Sequence, residues 1–314
     1  MATRVPSDDL QWAIQRRLED VFTKLGEKFG DLTGRVEMTI RPNVSFDDVG
    51  GLQPAKALMR GFVQALTHPE VYAQWGISPP RGVLLYGPPG TGKTTLARAL
   101  ATEAGAIFYH LKLMNLTSKF GVNTGELVQE VFRIAASEGQ AVLYLDEAEA
   151  LSLEHLLPPQ AAREASARVN AALCEKLDAL DPSARVLVIA ATSRTDALDS
   201  NMVAPRRLDH LVEVTLPDAN GQQEIMELIR ERTEKRAGRT LFEPIDYRRV
   251  LPVMGGMSGA DISEIIRRAL ETKVQRSADG AEPTAVTTED LLDAIDAYKR
   301  VRGVVEKIRY GQYL

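Results

Sequence analysis

Short runs of consecutive apolar residues recur through the middle of the chain, and each is bounded by residues typical of turns or helix starts. Strands that are buried on both faces have this pattern, so we expect a parallel five-stranded sheet covered by helices. This arrangement belongs to the α/β class. The predicted strands are residues 83–86, 107–111, 142–145, 186–191 and 211–216.

Both ends of the chain show the helical spacing of apolar residues instead. Residues 8–29 carry one apolar stripe, which predicts an amphipathic helix. The stripe leaves two interpretations open: packing against this protein's own body, or a coiled coil or docking helix for a partner. It spans only about three heptads, which is short for a coiled coil. Beyond residue 217, helices are predicted at 220–235, 246–253, 259–276 and 288–309.

These patterns divide the chain into four segments. Pro217 closes the region in which strands and helices alternate, and the purely helical region follows it. The predicted segments are an N-terminal helix and linker (1–43), a large α/β domain (44–217), a helical domain (218–309) and a short C-terminal tail (310–314).

The composition is that of a folded globular protein and narrows the possible functions. A formal net charge of −5 leaves no basic excess to neutralise nucleic-acid phosphates, so no nucleic-acid partner is expected. The single cysteine, Cys174, excludes an intramolecular disulfide and fits a reducing compartment. The N-terminus has no apolar signal segment and no apolar run could span a bilayer, so we expect a cytoplasmic protein without a membrane partner.

A glycine-rich segment follows the first predicted strand and precedes a helix predicted at 95–104. Residues 87–94 read Gly-Pro-Pro-Gly-Thr-Gly-Lys-Thr, a complete G-x-x-x-x-G-K-T pattern that predicts a site for ATP. Its glycines let backbone N–H groups converge on phosphates, and the helix N-terminus adds its positive end. Lys93 is expected to contact the β- and γ-phosphates, and the Thr94 hydroxyl to ligate Mg²⁺. The nucleotide-binding residues predicted here are Pro88, Pro89, Gly90, Thr91, Gly92, Lys93, Thr94 and Thr95.

Two adjacent acids end the strand predicted at 142–145. Asp146 can hold the magnesium ion through water, and Glu147 can polarise the attacking water. In a chain that also has a complete phosphate-binding pattern, this pair of acids is informative, because the magnesium ion needs a second anionic anchor. Carboxyl ends of parallel strands share one edge of a sheet, which is where open α/β sheets bind ligands.

Residues from about 44 to 300 resemble the AAA clade of the AAA+ ATPases, which contains proteasomal ATPases, valosin-containing protein and spastin. The likeness begins at 44–52 (Val-Ser-Phe-Asp-Asp-Val-Gly-Gly-Leu) and continues through 68–82. Residues 255–262 resemble the second-sensor motif of the family's helical lid. The resemblance implies a phosphate-loop sheet with flanking helices, a lid domain at 218–309, and nucleotide contacts from Gly50, Gly259 and Ala260.

The chain departs from the family at two catalytic positions. The strand predicted at 186–191 leads in the family to an Asn that positions the attacking water, whereas this chain has Ser193, which still donates and accepts a hydrogen bond. Arginines that act on a neighbouring subunit's nucleotide usually lie in Arg-Pro-Gly-Arg-Phe-Asp. Here Ala204 replaces the first arginine, Arg207 aligns with the second, and Arg206 occupies the glycine position as a possible substitute. Hydrolysis is expected to survive, if slowly.

The family's central-pore loop, Lys-aromatic-aliphatic-Gly, corresponds to residues 118–123, Ser-Lys-Phe-Gly-Val-Asn. Its aromatic residue, Phe120, is in place, whereas the next two residues are swapped. The resemblance implies that Phe120 grips a threaded polypeptide. The alternative is that Phe120 packs into the core.

The last four residues resemble the terminal motif with which bacterial proteasome activators dock on the proteasome core particle. They are Gly311, Gln312, Tyr313 and Leu314. The resemblance implies that pockets on the core capture the tyrosine ring and the terminal carboxylate. A chance match at a frayed helix end is the alternative interpretation.

Three functional hypotheses follow. The favoured one is a ring-forming ATPase, a homo-oligomer expected to be a hexamer, that unfolds or translocates protein substrates into a bacterial proteasome core. The second is a remodeller of protein complexes without a protease partner. The third, suggested by Ser193 and Ala204, is a weakly catalytic ATP-gated scaffold. Intact Lys93, Asp146 and Glu147 argue against the third.

Overall fold

The computed structural model describes residues 8–30, 36–40, 42–113, 123–137, 139–151, 160–181, 184–194, 200–280 and 284–309. The strands are β1 (Val36–Thr39), β2 (Gly82–Tyr86), β3 (Ile107–Lys112), β4 (Ala141–Asp146), β5 (Val186–Thr192) and β6 (His210–Glu213). The helices are α1 (Asp8–Phe29), α2 (Gln53–Thr67), α3 (Pro69–Gln74), α4 (Lys93–Ala104), α5 (Asn123–Ser137), α6 (Gln160–Ala179), α7 (Ala219–Ala237), α8 (Tyr247–Val250), α9 (Gly259–Ala278) and α10 (Thr288–Arg309).

The chain forms two compact units. The first contains the described residues of Met1–Phe46, Pro54–Gly87 and Lys93–Val214. The second contains Asp47–Gln53, Pro88–Gly92 and the described residues of Thr215–Leu314. Most of the phosphate-binding pattern, residues 88–92, therefore belongs to the second unit.

The first unit is built on a six-stranded sheet with the order β1-β3-β4-β5-β2-β6. The five predicted strands are confirmed as β2 to β6, and they pair in parallel. Strands β4 and β5 lie inside the sheet and are buried along almost their whole length, which explains their continuous apolar sequences. Because β2 to β6 all run in parallel, the carboxyl ends of these five strands lie along one edge.

The sheet has one strand more than predicted. Strand β1, from the segment assigned to the linker, pairs antiparallel with β3 at the edge of the sheet. Along it only Val36 is buried, while Glu37 and Thr39 are exposed. Four residues with a single buried position are too short a pattern for the alternation to predict a strand.

The C-terminal half of helix α1 packs into the core of the first unit. Leu25 and Phe29 are buried in the main apolar cluster, together with Val36 of β1 and Leu111 of β3. Val21 is partly buried against the same cluster. For this part of the helix, the structure supports packing against the protein's own body rather than a free docking stripe.

The second unit has its own apolar core, formed mainly by helices α7, α9 and α10. Helix α7 begins where the Asp218 side chain accepts a hydrogen bond from the Gly221 N–H at 2.8 Å. Helix α9 begins with a capping box between Ser258 and Asp261. The segment predicted as one helix at 246–253 is instead α8 followed by a 3₁₀ turn, because Pro252 removes a backbone donor.

In the part of the chain that the structure describes, no helix combines the length and the apolar character needed to cross a membrane.

The packing of α1 predicts a loss of stability when its contact with the core is truncated. Leu25→Ala removes a side chain that is 3% exposed and should lower the free energy of unfolding by about 2–4 kcal/mol. The control is Lys24→Ala, an exposed position on the same helix, which should change the free energy by less than about 0.5 kcal/mol. Urea unfolding followed by circular dichroism measures both. Equal small effects would show that α1 does not contribute to the core.

Candidate active site

The pairing of the parallel strands brings four strand ends together in the first unit. Tyr86 at the end of β2 is in register with Thr192 at the end of β5. Lys112 at the end of β3 is in register with Asp146 at the end of β4. Three residues directly follow these strands and lie at the same edge: Gly87 of the phosphate-binding pattern, and the predicted site residues Glu147 and Ser193.

Gly87 and Lys93 form the part of the phosphate-binding pattern that lies in this unit. Gly87 has a φ of +145°, and a Cβ atom there would lie 2.1 Å from the carbonyl oxygen of Val214, so no other residue fits. The Lys93 ammonium donates a hydrogen bond to the Gly87 carbonyl at 2.7 Å. Burial lowers the pKa of Lys93, and the negative charges of Glu149 and Asp146 oppose this shift only in part. A desolvated cation of this kind favours an anionic ligand such as a phosphate.

Hydrogen bonds link the hydroxyl of Thr94, the hydroxyl of Tyr144 and the carboxylate of Asp146, beside Lys93. The Thr94 hydroxyl, in the first turn of α4, lies 2.9 Å from the hydroxyl of Tyr144. That phenol donates to Asp146 Oδ1 at 3.3 Å. Thr94 and Asp146 are the predicted metal ligands, and oxygen atoms of this kind are the donors that Mg²⁺ prefers. The residues present therefore fit that ion.

Asp146 is held as a carboxylate by its neighbours. Burial alone would raise the pKa of Asp146, but the hydrogen bond from His110 Nε2 at 3.1 Å, the charge of His110 and the hydrogen bonds from Glu147 and Tyr144 together lower it. The Glu147 N–H also donates to Asp146 Oδ1 at 3.1 Å. An ionised carboxylate is the form that anchors a cation. No motif in the sequence indicated His110 or Tyr144; their signal is a polar group inside an otherwise apolar strand.

Glu147 has different electrostatics from its neighbour. Its φ of +57° is a left-handed conformation, which costs about 1–3 kcal/mol for a non-glycine residue and is found mainly at functional sites. Burial raises the pKa of Glu147, and the charges of Asp146 and Glu149 add to the increase. A carboxylate with a raised pKa accepts a proton more readily. This property suits the predicted role of polarising the attacking water.

Ser193 forms a hydrogen bond with Glu149, a carboxylate that no motif in the sequence indicated. Its hydroxyl donates to Glu149 Oε1 at 3.0 Å, and the hydroxyl of Thr192 donates to Glu149 Oε2 at 2.7 Å. Glu149 lies in the short 3₁₀ turn Ala148–Leu151 that follows Asp146 and Glu147. The predicted water-positioning serine is therefore hydrogen-bonded to Glu149. The sequence signal was a third acid two residues beyond Glu147.

The two candidate arginines have different surroundings. Arg207 donates to both carboxylate oxygens of Asp178, at 2.9 and 2.6 Å, and to the Asn201 carbonyl at 2.7 Å. The Arg206 side chain is exposed, and among the described residues none forms a hydrogen bond or ion pair with its guanidinium group. Arg206 has a φ of +69°, and its N–H is fixed by Asp209 Oδ2 at 2.9 Å. The arginine that the alignment favoured is thus bound within its own chain.

The second unit holds other predicted nucleotide-binding residues in close contact. Gly90 has a φ of +75°, and a Cβ atom there would lie 2.7 Å from Ser258 Oγ and 2.8 Å from the Ala260 Cβ. The Gly90 carbonyl accepts a hydrogen bond from the Ala260 N–H at 3.1 Å. A Cβ atom on Gly50 would lie 2.6 Å from Ile225 Cγ1. Packing alone therefore requires glycine at these two positions.

The remaining predicted nucleotide-binding residues lie in an ordered turn or in the first turn of a helix. In the second unit, the Thr91 hydroxyl donates to the Pro88 carbonyl at 2.9 Å. Gly92 has a φ of +98°, and Gly259 begins helix α9. In the first unit, Thr95 lies in the first turn of α4 and is half-buried.

Two predicted elements lie outside the described residues. One is the pore-loop residue Phe120. The other is the tail formed by Gly311, Gln312, Tyr313 and Leu314.

Comparison with known proteins matches residues 83–216 to the family model described as ATPase family associated with various cellular activities (AAA). The chain is 32% identical over 298 residues to a proteasome-activating nucleotidase of Saccharolobus solfataricus, covering 95% of this chain and 73% of that protein. It is 36% identical over 273 residues to a proteasome-activating nucleotidase of Pyrococcus furiosus, covering 87% of this chain and 65% of that protein.

The geometry predicts different effects for the lysine and the second acid. Glu147→Gln keeps the loop and the metal ligands, so ATP binding should persist while turnover falls by roughly 10²-fold or more. Lys93→Ala removes the half-buried cation and should weaken ATP binding by about 10- to 100-fold. Equilibrium binding of a fluorescent ATP analogue and a steady-state phosphate-release assay separate the two effects. Wild-type turnover by Glu147→Gln would show that the catalytic base lies elsewhere.

Proposed function

The chain belongs to the AAA family of ATPases, and on that premise we propose that it forms a ring that couples Mg-ATP hydrolysis to the unfolding or translocation of proteins. Within this proposal the ring is a hexamer of identical chains that delivers its substrates to a proteasome core particle. The observation that carries the enzymatic part is the convergence of Lys93, Thr94, Asp146 and Glu147 at one sheet edge.

Each of these residues has a distinct part in the proposed hydrolysis. Lys93 contributes positive charge to the β- and γ-phosphates. Thr94 and Asp146 would hold Mg²⁺, which neutralises charge on the phosphates when it is bound. Glu147 accepts the proton of the attacking water, and the Ser193–Glu149 pair helps to orient that water. The scaffold hypothesis is disfavoured because these groups are intact and the family consists of ATPases.

The names of the relatives support the proteasome as the partner. Both relatives are proteasome-activating nucleotidases, and the chain covers 73% of the first and 65% of the second. The finer proposal, docking on a bacterial core particle, depends on the sequence Gly-Gln-Tyr-Leu at 311–314. The remodelling ATPase without a protease partner is the competing function, and the two differ in whether this tail binds a core particle.

We further infer that Arg206, rather than Arg207, acts on the nucleotide of a neighbouring chain. Arg207 uses donors on all three of its guanidinium nitrogens within its own chain. Two of these hydrogen bonds go to the Asp178 carboxylate, so the Arg207 guanidinium is oriented by its own chain. Arg206 is exposed, and its backbone is fixed by Asp209, so its guanidinium is presented to solvent.

Loss of Arg206 should therefore reduce hydrolysis without preventing nucleotide binding. An arginine acting in trans contributes roughly 10³-fold or more to turnover, so Arg206→Ala should lose about that factor. Arg207→Ala serves as the matched control and should lose less. Phosphate release and nucleotide binding are measured for both variants at the same protein concentration.

Mixing two inactive variants tests whether the arginine acts between chains. Arg206→Ala supplies an intact Glu147, and Glu147→Gln supplies an intact Arg206, so mixed rings contain some complete sites. Activity should reappear on mixing. If the mixture stayed as inactive as its components, or if Arg207→Ala lost more turnover than Arg206→Ala, the assignment to Arg206 would be wrong.

The tail generates a prediction about the partner. A single tail should bind weakly, and several tails on one ring can raise avidity by roughly 10²- to 10⁴-fold. Tyr313→Ala, or deletion of residues 313–314, should abolish co-sedimentation with a bacterial proteasome core while ATP turnover stays near normal. An archaeal core run in parallel tests the specificity for bacterial cores. Unchanged binding to the bacterial core after loss of Tyr313 would show that the tail is not the docking element, and absence of binding by the wild type would favour the remodelling ATPase.

A further inference from the structure

Tyr144 lies in the middle of the sheet, which is an unusual position for a side chain with a polar hydroxyl group. It lies on β4, one of the inner strands, and its side chain is completely buried. Phe108 stacks on its ring with centroids 5.7 Å apart, and the ring of His110 lies at 5.2 Å. The aromatic ring of Tyr144 is therefore well packed. A buried hydroxyl adds a desolvation cost unless it forms hydrogen bonds, so its two contacts require an explanation.

Both contacts of the phenol are predicted metal ligands. The Tyr144 hydroxyl lies 2.9 Å from Thr94 Oγ1 and 3.3 Å from Asp146 Oδ1. The other oxygen of Asp146, Oδ2, lies 3.1 Å from His110 Nε2. His110 and Tyr144 are register partners on adjacent strands, so their side chains project from the same face of the sheet. Together they fix both oxygens of the Asp146 carboxylate.

The chemistry of these groups sets the direction of each hydrogen bond. A carboxylate only accepts hydrogen bonds, so the single proton of the Tyr144 hydroxyl points to Asp146. The Tyr144 oxygen can then only accept from Thr94, and the Thr94 proton must point towards Tyr144. The lone pairs of Thr94 Oγ1 are consequently left for another partner. A cation is the partner that needs lone pairs from this oxygen.

We propose that Tyr144 is a positioning residue for the magnesium site: its hydroxyl orients the Thr94 hydroxyl so that the lone pairs of Thr94 are available to the metal. This inference rests on the proposed function of Thr94 and Asp146. It assigns to Tyr144 no contact with the nucleotide or with the reacting atoms. Without the phenol oxygen, the Thr94 hydroxyl is free to rotate and loses part of its preorganisation for the metal.

If Tyr144 only packed the core, its loss would change both the nucleotide affinity measured without Mg²⁺ and the Mg²⁺ requirement. A positioning role predicts a change in the Mg²⁺ requirement alone. Tyr144→Phe keeps the aromatic ring and removes only the hydroxyl, so the packing against Phe108 and His110 is retained. Nucleotide affinity measured without magnesium should therefore stay the same. The Mg²⁺ concentration needed for half-maximal tightening of nucleotide binding should increase by roughly three- to tenfold, the factor expected for one hydrogen bond.

The chain offers a matched control in Tyr109. It is as deeply buried as Tyr144 and lies on the neighbouring strand β3. Its register partner is Leu143, so its side chain projects from the opposite face of the sheet to that of Tyr144. Tyr109→Phe also removes one buried phenol oxygen, but at a distance from the metal ligands, and should leave the Mg²⁺ requirement unchanged.

The experiment titrates Mg²⁺ into the full-length wild type and both variants in the presence of a fluorescent, non-hydrolysable ATP analogue, with parallel binding curves in EDTA. A selective increase in the Mg²⁺ requirement of Tyr144→Phe supports the inference. An unchanged requirement overturns it, as does an equal loss of affinity in EDTA or an equal increase in Tyr109→Phe. If the wild type bound the analogue independently of Mg²⁺, the proposed metal site itself would be wrong, which is a separate result.

Discussion

The parallel pairing of β4 with its neighbours is the constraint on which the rest of the site depends. Because β3, β4 and β5 run in the same direction, the side chains that follow them leave the sheet at one edge. Asp146 ends β4, and Glu147 follows it immediately. A change of one residue in the register of β4 against β3 would turn Tyr144 and Asp146 together to the other face of the sheet and separate Asp146 from His110. The buried apolar strands thus determine where the polar chemistry is placed.

The adjacent acids Asp146 and Glu147 have different electrostatic surroundings at this edge, and these surroundings suit them to different roles. Asp146 accepts hydrogen bonds from three groups, which lower its pKa and favour the ionised form. Glu147 has less support, and its pKa is raised by burial and by the neighbouring acids. One carboxylate is therefore suited to anchoring a cation, and the other to accepting a proton. Lys93, a partly desolvated cation, completes the set.

Local patterns predicted most of the fold and the central residues of the site. Five strands were visible as apolar runs, and the phosphate-binding pattern identified Lys93 and Thr94 directly. Strand β1 was not predicted, because its alternation covers four residues with one buried position. Glu149, His110 and Tyr144 were missed for a different reason. Their roles arise from contacts between strands that are distant in sequence, and one polar residue in an apolar run gives little indication of its partner.

For the arginine that would act on a neighbouring chain, the motif alignment favours Arg207 and the side-chain contacts favour Arg206. Alignment favoured Arg207, whose position matches a conserved motif of the resembled family. Its side chain is nevertheless bound to Asp178 in the same chain. Arg206 stands where the family has glycine and adopts the left-handed conformation that a glycine would tolerate. The sequence identified the two candidates, but only the side-chain contacts distinguish between them.

The central proposal is that ATP binds to the phosphate-binding pattern, with its metal held by Thr94 and Asp146. A structure of the Glu147→Gln variant with Mg-ATP tests this claim most directly. The account predicts a triphosphate against the backbone of residues 87–94, and a metal ion bound to the Thr94 hydroxyl at about 2.1 Å. A nucleotide bound elsewhere, or a metal ion without contact to Thr94, would contradict it.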